Sequence, residues 1–196
     1  TIDNTEYDKT HADRFTVDGK SITMEEDVQF AHYDPNVASL MQLGKWFDYM
    51  RENGVYDNTR IILVADHGRG LYLNWDRVID NGPDTDFFFP LLMVKDFNAK
   101  GFSFSDTFMT TADVPTLATS GLIDNPTNPF TGNAINANAK YDRPFYAFMS
   151  YDWDTSKNNG NQFFPGTWYR VDNQNARDKR NWVMVGENTV LPDALR

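Results

Sequence analysis

The sequence of 196 residues contains no cysteine, which excludes disulfides, thiolate metal sites and a cysteine nucleophile from this chain. It also has no internal repeat and no apolar run approaching the ~18 residues of a membrane-spanning helix. Basic residues are few, with 18 Lys and Arg against 28 Asp and Glu and a formal net charge of −10. This balance argues against nucleic-acid binding, which needs a basic surface. An anionic substrate stays compatible with it where a metal ion supplies local positive charge.

An apolar run without alternation, Ile61 to Ala65, is typical of a strand buried on both faces in a largely parallel α/β sheet. It stops at Asp66-His67-Gly68, where glycine permits a sharp turn. In open α/β sheets, ligands gather beyond the carboxyl ends of the strands. Asp66 and His67 are therefore candidate ligands of a divalent metal ion. The alternative is ordinary turn chemistry, with Asp66 capping the next segment.

A long amphipathic helix is predicted before this strand. Asp34-Pro35 resembles a helix start, with an acidic N-cap followed by proline at the first position, and Gly54 resembles a helix end. Apolar residues recur at helical spacing between them: Val37, Leu40, Met41, Leu43, Phe47 and Met50. A separate helix start is expected at the acids 25–27. His32, just before Asp34, is a candidate substrate contact, or else a residue that caps the helix start.

The segment after the strand contains a predicted active-site loop, Arg69 to Phe89. Arg69 suits a sulfate or phosphate group because a guanidinium matches oxyanion geometry, although it could equally pair with a nearby aspartate. A second apolar run, Phe87 to Val94, contains Pro90, which implies an edge strand, a bulge or a first strand position. A further helix is expected within residues 108–121, with Asp113 as its cap.

The region after residue 125 is rich in Asn, Pro and Gly and predicts a long surface loop. A strand is expected at Phe145 to Tyr151. Two further strands, Thr167 to Val171 and Asn181 to Val185, predict a hairpin. A turn at residues 17–20, between short extended pieces, is expected near the other end of the chain.

Residues 46–69, WFDYMRENGVYDNTRIILVADHGR, resemble a segment shared by the sulfatase and alkaline-phosphatase superfamily. The order of the motifs adds to this resemblance: Asp-Asn-Thr, an apolar strand, Asp-His-Gly, a Pro-Leu strand, and a helix carrying Asp113, Pro115, Thr116 and Leu117. Within the superfamily the segment is most similar to bacterial membrane-anchored sulfatase-like enzymes, which include lipoteichoic-acid synthases.

The resemblance implies that Asp66 and His67 ligate the catalytic divalent ion, without deciding between Mn, Mg, Ca and Zn. Such an ion acts as a Lewis acid on the ester oxygens and lowers the pKa of the nucleophile. The nucleophile motif of the family and its early acidic ligands match nothing in this sequence. Because the chain also begins on polar TIDNTEYDKT without methionine, we expect a piece of a longer enzyme, inactive by itself.

The fold implied is an incomplete, largely parallel α/β sheet of the alkaline-phosphatase type, with a small β-rich C-terminal extension. Residues 1–125 would form the C-terminal portion of the sulfatase-like domain, and residues 126–196 the loop-rich, aromatic-rich extension. The implied partners are the missing N-terminal part of the same domain and a sulfate- or phosphate-ester substrate, glycan- or lipid-linked. The implied location is the outer side of a bacterial membrane, anchored by a segment absent here.

Two other interpretations stay open. The first is a catalytically dead sulfatase-like domain or a glycan-binding module that stacks sugars on Trp153, Trp168 or Trp182. The alternative is that those aromatic residues pack the appended extension against the main sheet. The second is an unrelated α/β domain in which Asp66 and His67 are adjacent by chance.

Overall fold

The computed structural model describes residues 16–17, 20–21, 27–71, 75–150 and 164–195. The chain divides into two compact units. The first unit consists of Thr1–Ile61 and Val94–Gly101, and the second of Ile62–Met93 and Phe102–Arg196. The boundary predicted at residue 125 lies inside the second unit, and it stays a prediction.

The first unit begins with two short strands, β1 (Thr16–Val17) and β2 (Lys20–Ser21). They pair antiparallel, with Thr16 opposite Ser21 and Val17 opposite Lys20. This pairing confirms the predicted short extended pieces, although the two turn residues between them lie outside the described residues.

The long helix of this unit, α1 (Asp27–Glu52), starts at the acids where a separate helix was expected. It continues without a break through the helix predicted to start at Asp34. The predicted start at Asp34 is wrong, because Pro35 lies inside the helix. Proline removes one donor of the helix ladder, and the side chain of Asn36 beside it donates to the carbonyl oxygen of His32 across 2.5 Å. His32 is therefore a residue of the helix interior and not of its approach.

The end of α1 is as predicted. Gly54 follows the helix with φ +68°, the left-handed conformation that favours glycine at this position. Its N–H donates to the carbonyl oxygen of Arg51, and the N–H of Val55 donates to that of Met50, which satisfies carbonyl groups of the last turn.

Two charged contacts join the segment after α1 to residues 94–101 within the first unit. Arg60 donates from Nε and Nη2 to the two carboxylate oxygens of Asp96, at 2.9 and 3.2 Å. Lys100 binds both carboxylate oxygens of Asp57. These contacts hold the two stretches of the first unit together.

The predicted largely parallel, alkaline-phosphatase-like sheet is wrong. The described residues contain two α-helices and several small sheets, of which the hairpin β1–β2 and the three-stranded sheet are antiparallel. The central apolar run forms only a four-residue strand, β3 (Ile61–Val64), which pairs with β4 (Leu92–Lys95). Val64 is 45% exposed, so the missing alternation does not reflect burial on both faces. Only the second half of the apolar run Phe87 to Val94 is a strand, because β4 starts at Leu92 and Phe87 and Phe88 belong to a 3-10 turn. Pro90 lies outside the strand, so the predicted strand position for it is wrong.

The main sheet of the second unit has the order β5 (Phe145–Met149), β6 (Gly166–Val171) and β7 (Trp182–Thr189). The pairing of β6 with β7 confirms the predicted hairpin, and β5 confirms the predicted strand before it. The core of this unit lies on one face of the sheet and contains Ala147, Tyr169, Val171 and Trp182. Tyr169 and Val171 alternate with Arg170, whose guanidinium pairs with Asp172 at 2.7 Å, as expected for a strand with one buried face.

The helix predicted within residues 108–121 is present but shorter. A 3-10 turn, Thr111–Asp113, leads into α2 (Val114–Thr119), and Gly121 follows with φ +72°. Neither α-helix of the described part of the chain combines the length and the apolar character needed to cross a membrane.

Candidate functional site

The Asp66 and His67 side chains project from a short loop that directly follows β3 in the second unit. Before them, the N–H of Ala65 donates to the carbonyl oxygen of Leu91 across 3.0 Å. The side chain of Asp66 is 91% exposed and that of His67 is 69% exposed. Both ionisable groups therefore face solvent, where they are accessible to a ligand.

Two glycines fix this loop against the segment 84–89. The N–H of Gly68 donates to the carbonyl oxygen of Phe87 across 2.9 Å. A Cβ atom at Gly68 would stand 2.0 Å from the carbonyl oxygen of Asp86 and 2.8 Å from that of Phe89. A Cβ atom at Gly70 would stand 2.6 Å from the ring of Phe87. Close approach of backbone atoms favours glycine at position 68, and close approach of the Phe87 and Asp84 side chains favours it at position 70. Neither residue has the left-handed φ that also favours glycine.

The segment 84–89 is itself held from within. Asp84 is fully buried, and its carboxylate accepts the N–H of Asp86 across 2.9 Å at the start of a 3-10 turn, Thr85–Phe88. Arg77 pairs with Asp86 at 2.5 Å. Thr85 is also fully buried, and its hydroxyl has no hydrogen-bond partner in the described residues. The sequence contained a usable signal for this turn, because Asp at the first position commonly accepts the N–H two residues on.

Hydrogen bonding defines which nitrogen of His67 can bind a metal ion. Nδ1 lies 2.6 Å from the carbonyl oxygen of Gly68, so Nδ1 carries the proton and donates it. In the neutral imidazole, Nε2 then carries the lone pair, and a backbone carbonyl on the other ring nitrogen is a common way to orient a metal-binding histidine. Asp66 is oriented as well, because one of its carboxylate oxygens accepts the N–H of His67 across 2.9 Å.

The two side chains have suitable donors and nearly suitable spacing for one divalent ion. Nε2 of His67 lies 3.8 Å from the second carboxylate oxygen of Asp66. Metal bonds of about 2.0–2.2 Å place two ligand atoms about 3.0–3.5 Å apart, so a shift of about half an ångström completes the geometry. Within the described ranges no group of three or more His, Asp or Glu residues could hold a metal ion. Asp66 and His67 thus supply two ligands, fewer than a complete site needs.

Arg69 extends the same loop and has no acidic partner within the described residues. Its guanidinium lies 5.7 Å from the centre of the Phe87 ring, and the side chain is exposed. Of the two predictions made for Arg69, pairing with an aspartate is therefore not observed. The group is available to bind an oxyanion.

The other predicted site residues lie elsewhere. His32 lies in α1, which belongs to the first unit, whereas Asp66 and His67 belong to the second. Trp182 is buried in the core, with Nε1 donating to the carbonyl oxygen of Ala176. The Trp168 ring packs against Phe148 in a tilted contact with ring centres 4.8 Å apart, and its Nε1 donates to the carbonyl oxygen of Thr189. Both rings act in packing, and Trp153 lies outside the described residues.

Comparison with known proteins adds no family to this description. The chain matches no protein-family model, no curated protein and no solved structure. The resemblance to the sulfatase and alkaline-phosphatase superfamily therefore rests on the quoted motifs, and membership stays a prediction.

Proposed function

We propose that this chain contributes part of the active site of a metal-dependent enzyme that hydrolyses or transfers sulfuric or phosphoric esters. Asp66 and His67 are two ligands of the divalent ion, and Arg69 binds the charged ester oxygens. The remaining ligands and the nucleophile come from the N-terminal part of the same domain, outside this chain. The proposal does not depend on a parallel sheet, because it concerns a single loop.

The observation that carries this proposal is the exposed Asp66-His67 pair on a loop fixed by Gly68. The Nδ1 hydrogen bond to Gly68 leaves Nε2 of His67 as a ligand atom, and the loop geometry restrains Asp66 beside it. Fixing ligands before the metal arrives reduces the conformational entropy lost on binding. Simple turn chemistry would account for the hydrogen bond of Asp66, but it gives no reason why Nε2 of His67 is also oriented as a metal ligand.

The chemistry follows from the groups on the loop. When bound, the metal ion polarises an ester oxygen and stabilises the negative charge that develops in the transition state. Arg69 can contact two oxygens of a tetrahedral sulfate or phosphate at once, because its guanidinium is planar. An exposed arginine in a chain of net charge −10 also offers local attraction to an anionic substrate. Placement outside a bacterial membrane, with a glycan- or lipid-linked substrate, is part of the same proposal and follows only from the resemblance.

Calorimetric titration with Mn²⁺ and Zn²⁺ tests the metal site, in this chain and in the longer protein. We expect weak binding to this chain, tight binding to the longer protein, and at least a tenfold loss in both for Asp66→Asn. Asp124→Asn is the matched control, since Asp124 is an exposed aspartate of the same unit with no described side-chain partner. Absence of metal binding by the longer protein would exclude the proposal, as would equal affinities of the two variants.

A nitrogen NMR experiment tests the histidine separately. The chain has only 3 histidines, so the His67 ring can be assigned by comparison with His67→Gln. We expect the Nδ1-protonated tautomer in the free protein and a shift of the Nε2 resonance on addition of Zn²⁺. The opposite tautomer, or an unchanged Nε2 signal at saturating metal, would remove His67 from the site.

A further inference from the structure

An open cavity of about 630 Å³ lies in the second unit, apart from the Asp66 loop residues. It is lined by the start of α2, by the Asn-rich segment 128–137 and by the residues that lead into β5. Its volume lies within the range of small-molecule sites, about 300–1,000 Å³. The cavity plays no part in the function proposed above.

One wall of the cavity is fixed by a neutral ion pair. Asp113 and Lys140 lie 2.9 Å apart with side chains only 12% and 17% exposed. The second carboxylate oxygen of Asp113 accepts the N–H and the hydroxyl of Thr110. Lys140 also lies 5.5 Å from the centre of the Tyr141 ring. Because each charge has its counterpart, this pair holds the wall in place and leaves no net charge for a ligand.

Arg143 gives the cavity a net positive charge. It lines the same space, and its guanidinium has no hydrogen-bond acceptor and no acidic partner in the described part of the chain. Most other described arginines form an ion pair with an aspartate, as Arg60, Arg77, Arg170 and Arg180 do. Among the described residues, Arg143 therefore differs from these arginines in having no carboxylate paired with its guanidinium.

Two amide side chains of the wall, those of Asn128 and Asn136, have oxygen atoms that accept backbone N–H groups. The side-chain oxygen of Asn128 accepts the N–H groups of Phe130 and Thr131, at 2.9 and 3.2 Å. The side-chain oxygen of Asn136 accepts the N–H of Asn138 across 2.9 Å. Their NH₂ groups have no partner in the described residues. These two NH₂ groups suit a ligand group that only accepts hydrogen bonds.

Apolar side chains form the remaining surface. Phe108 and Phe145 meet in an edge-to-face contact, with ring centres 5.6 Å apart. Ile135 and Pro144 line the same cavity. We propose that this cavity binds a small monocarboxylate with an apolar body, its carboxylate on Arg143 and its body against Phe108 and Phe145.

Calorimetry with 3-phenylpropanoate, its uncharged amide and acetate tests this proposal on the full chain. We expect 3-phenylpropanoate to bind at least about tenfold more tightly than either of the other two, because only it satisfies both Arg143 and the apolar wall. Arg143→Gln should lower the affinity for 3-phenylpropanoate to that of the amide and leave the amide unaffected. Arg51→Gln makes the same change of charge in the other unit and should leave both affinities unchanged.

A second variant tests the position of the ligand body. Ala137 is exposed and lines the cavity, so Ala137→Phe should block the cavity without altering the core. Neither 3-phenylpropanoate nor its amide should then bind. The proposal is overturned if 3-phenylpropanoate does not bind, if its amide binds equally well, or if acetate alone binds as tightly. It is also overturned if Arg143→Gln or Ala137→Phe binds 3-phenylpropanoate like the wild type.

Discussion

The N–H of Gly68 donates to the carbonyl oxygen of Phe87 across 2.9 Å, and this bond joins the loop of Asp66 and His67 to a turn almost twenty residues further along the chain. The contact is possible only because Gly68 lacks a side chain, since the carbonyl oxygen of Asp86 occupies the Cβ position. The geometry of the candidate ligands thus depends on a residue that cannot itself bind a metal ion.

Gly68→Ala is therefore expected to lower the free energy of unfolding by about 2 kcal/mol, because the added methyl group must displace backbone. We also expect weaker Mn²⁺ binding, as the loop moves away from the turn. Urea unfolding followed by circular dichroism measures the first effect and calorimetry the second. Gly44→Ala is the control: a Cβ atom there meets nothing within 4 Å, and alanine in a helix interior should raise stability by about 0.5–1 kcal/mol. Equal effects of the two substitutions would contradict the packing argument.

Asp113 should make stability depend on acid pH. Burial raises the pKa of its carboxyl group, but hydrogen bonds from Thr110 and Lys140 outweigh burial and hold that pKa below its ordinary value. A lowered pKa contributes stability above the unfolded pKa of about 3.9, and this contribution is lost as the pH falls below it. Asp113→Asn should cost about 1–3 kcal/mol at pH 7, because Lys140 loses its counterion.

The difference between wild type and Asp113→Asn should shrink as the pH is lowered from 4 towards 2. Urea unfolding at a series of pH values provides the comparison. Asp124→Asn, at an exposed position, should differ little from the wild type throughout. A difference for Asp113→Asn that is constant with pH would assign its effect to shape and not to charge.

Trp182→Ala should be among the most destabilising single substitutions in the second unit. Trp182 is only 6% exposed and contacts Phe88 and Tyr169 with ring centres 5.0 and 6.0 Å away. Removing a buried aromatic side chain leaves a cavity, and the expected cost is about 3–5 kcal/mol. Trp46→Ala, at a residue 50% exposed, should cost much less. Thermal unfolding of the two variants tests the ranking, which a larger effect at Trp46 would reverse.

The elements that could be predicted from the sequence are those specified by neighbouring residues. Two short runs rich in aromatic and β-branched residues, separated by a charged turn, specified the β6–β7 hairpin, and Gly54 specified the end of α1 because its left-handed φ is locally determined. The continuity of α1 through Asp34 and Pro35 was missed, because an acid followed by proline is favoured at a first turn and proline is disfavoured in a helix interior. The largely parallel sheet was wrongly predicted because an apolar run does not reveal which other elements pack against it.

The candidate sites show the same division. Asp66, His67 and Arg69 were found because they are close in sequence and chemically distinctive. The buried Asp84, which supports their loop, and the ion pair of Asp113 with Lys140 join residues through the fold. Contacts over such separations have no local sequence pattern, so they could not be predicted.

Pro35 also affects the local unfolding of α1. Without an N–H at this position, the segment 27–34 is linked to the rest of the helix by one hydrogen bond fewer, and it can fray without disturbing the turns beyond it. Amide deuterium exchange should therefore divide the helix at the proline. Amides before Pro35 should exchange quickly, and those from residue 39 to Met50 should exchange slowly, so that one continuous helix behaves as two kinetic segments.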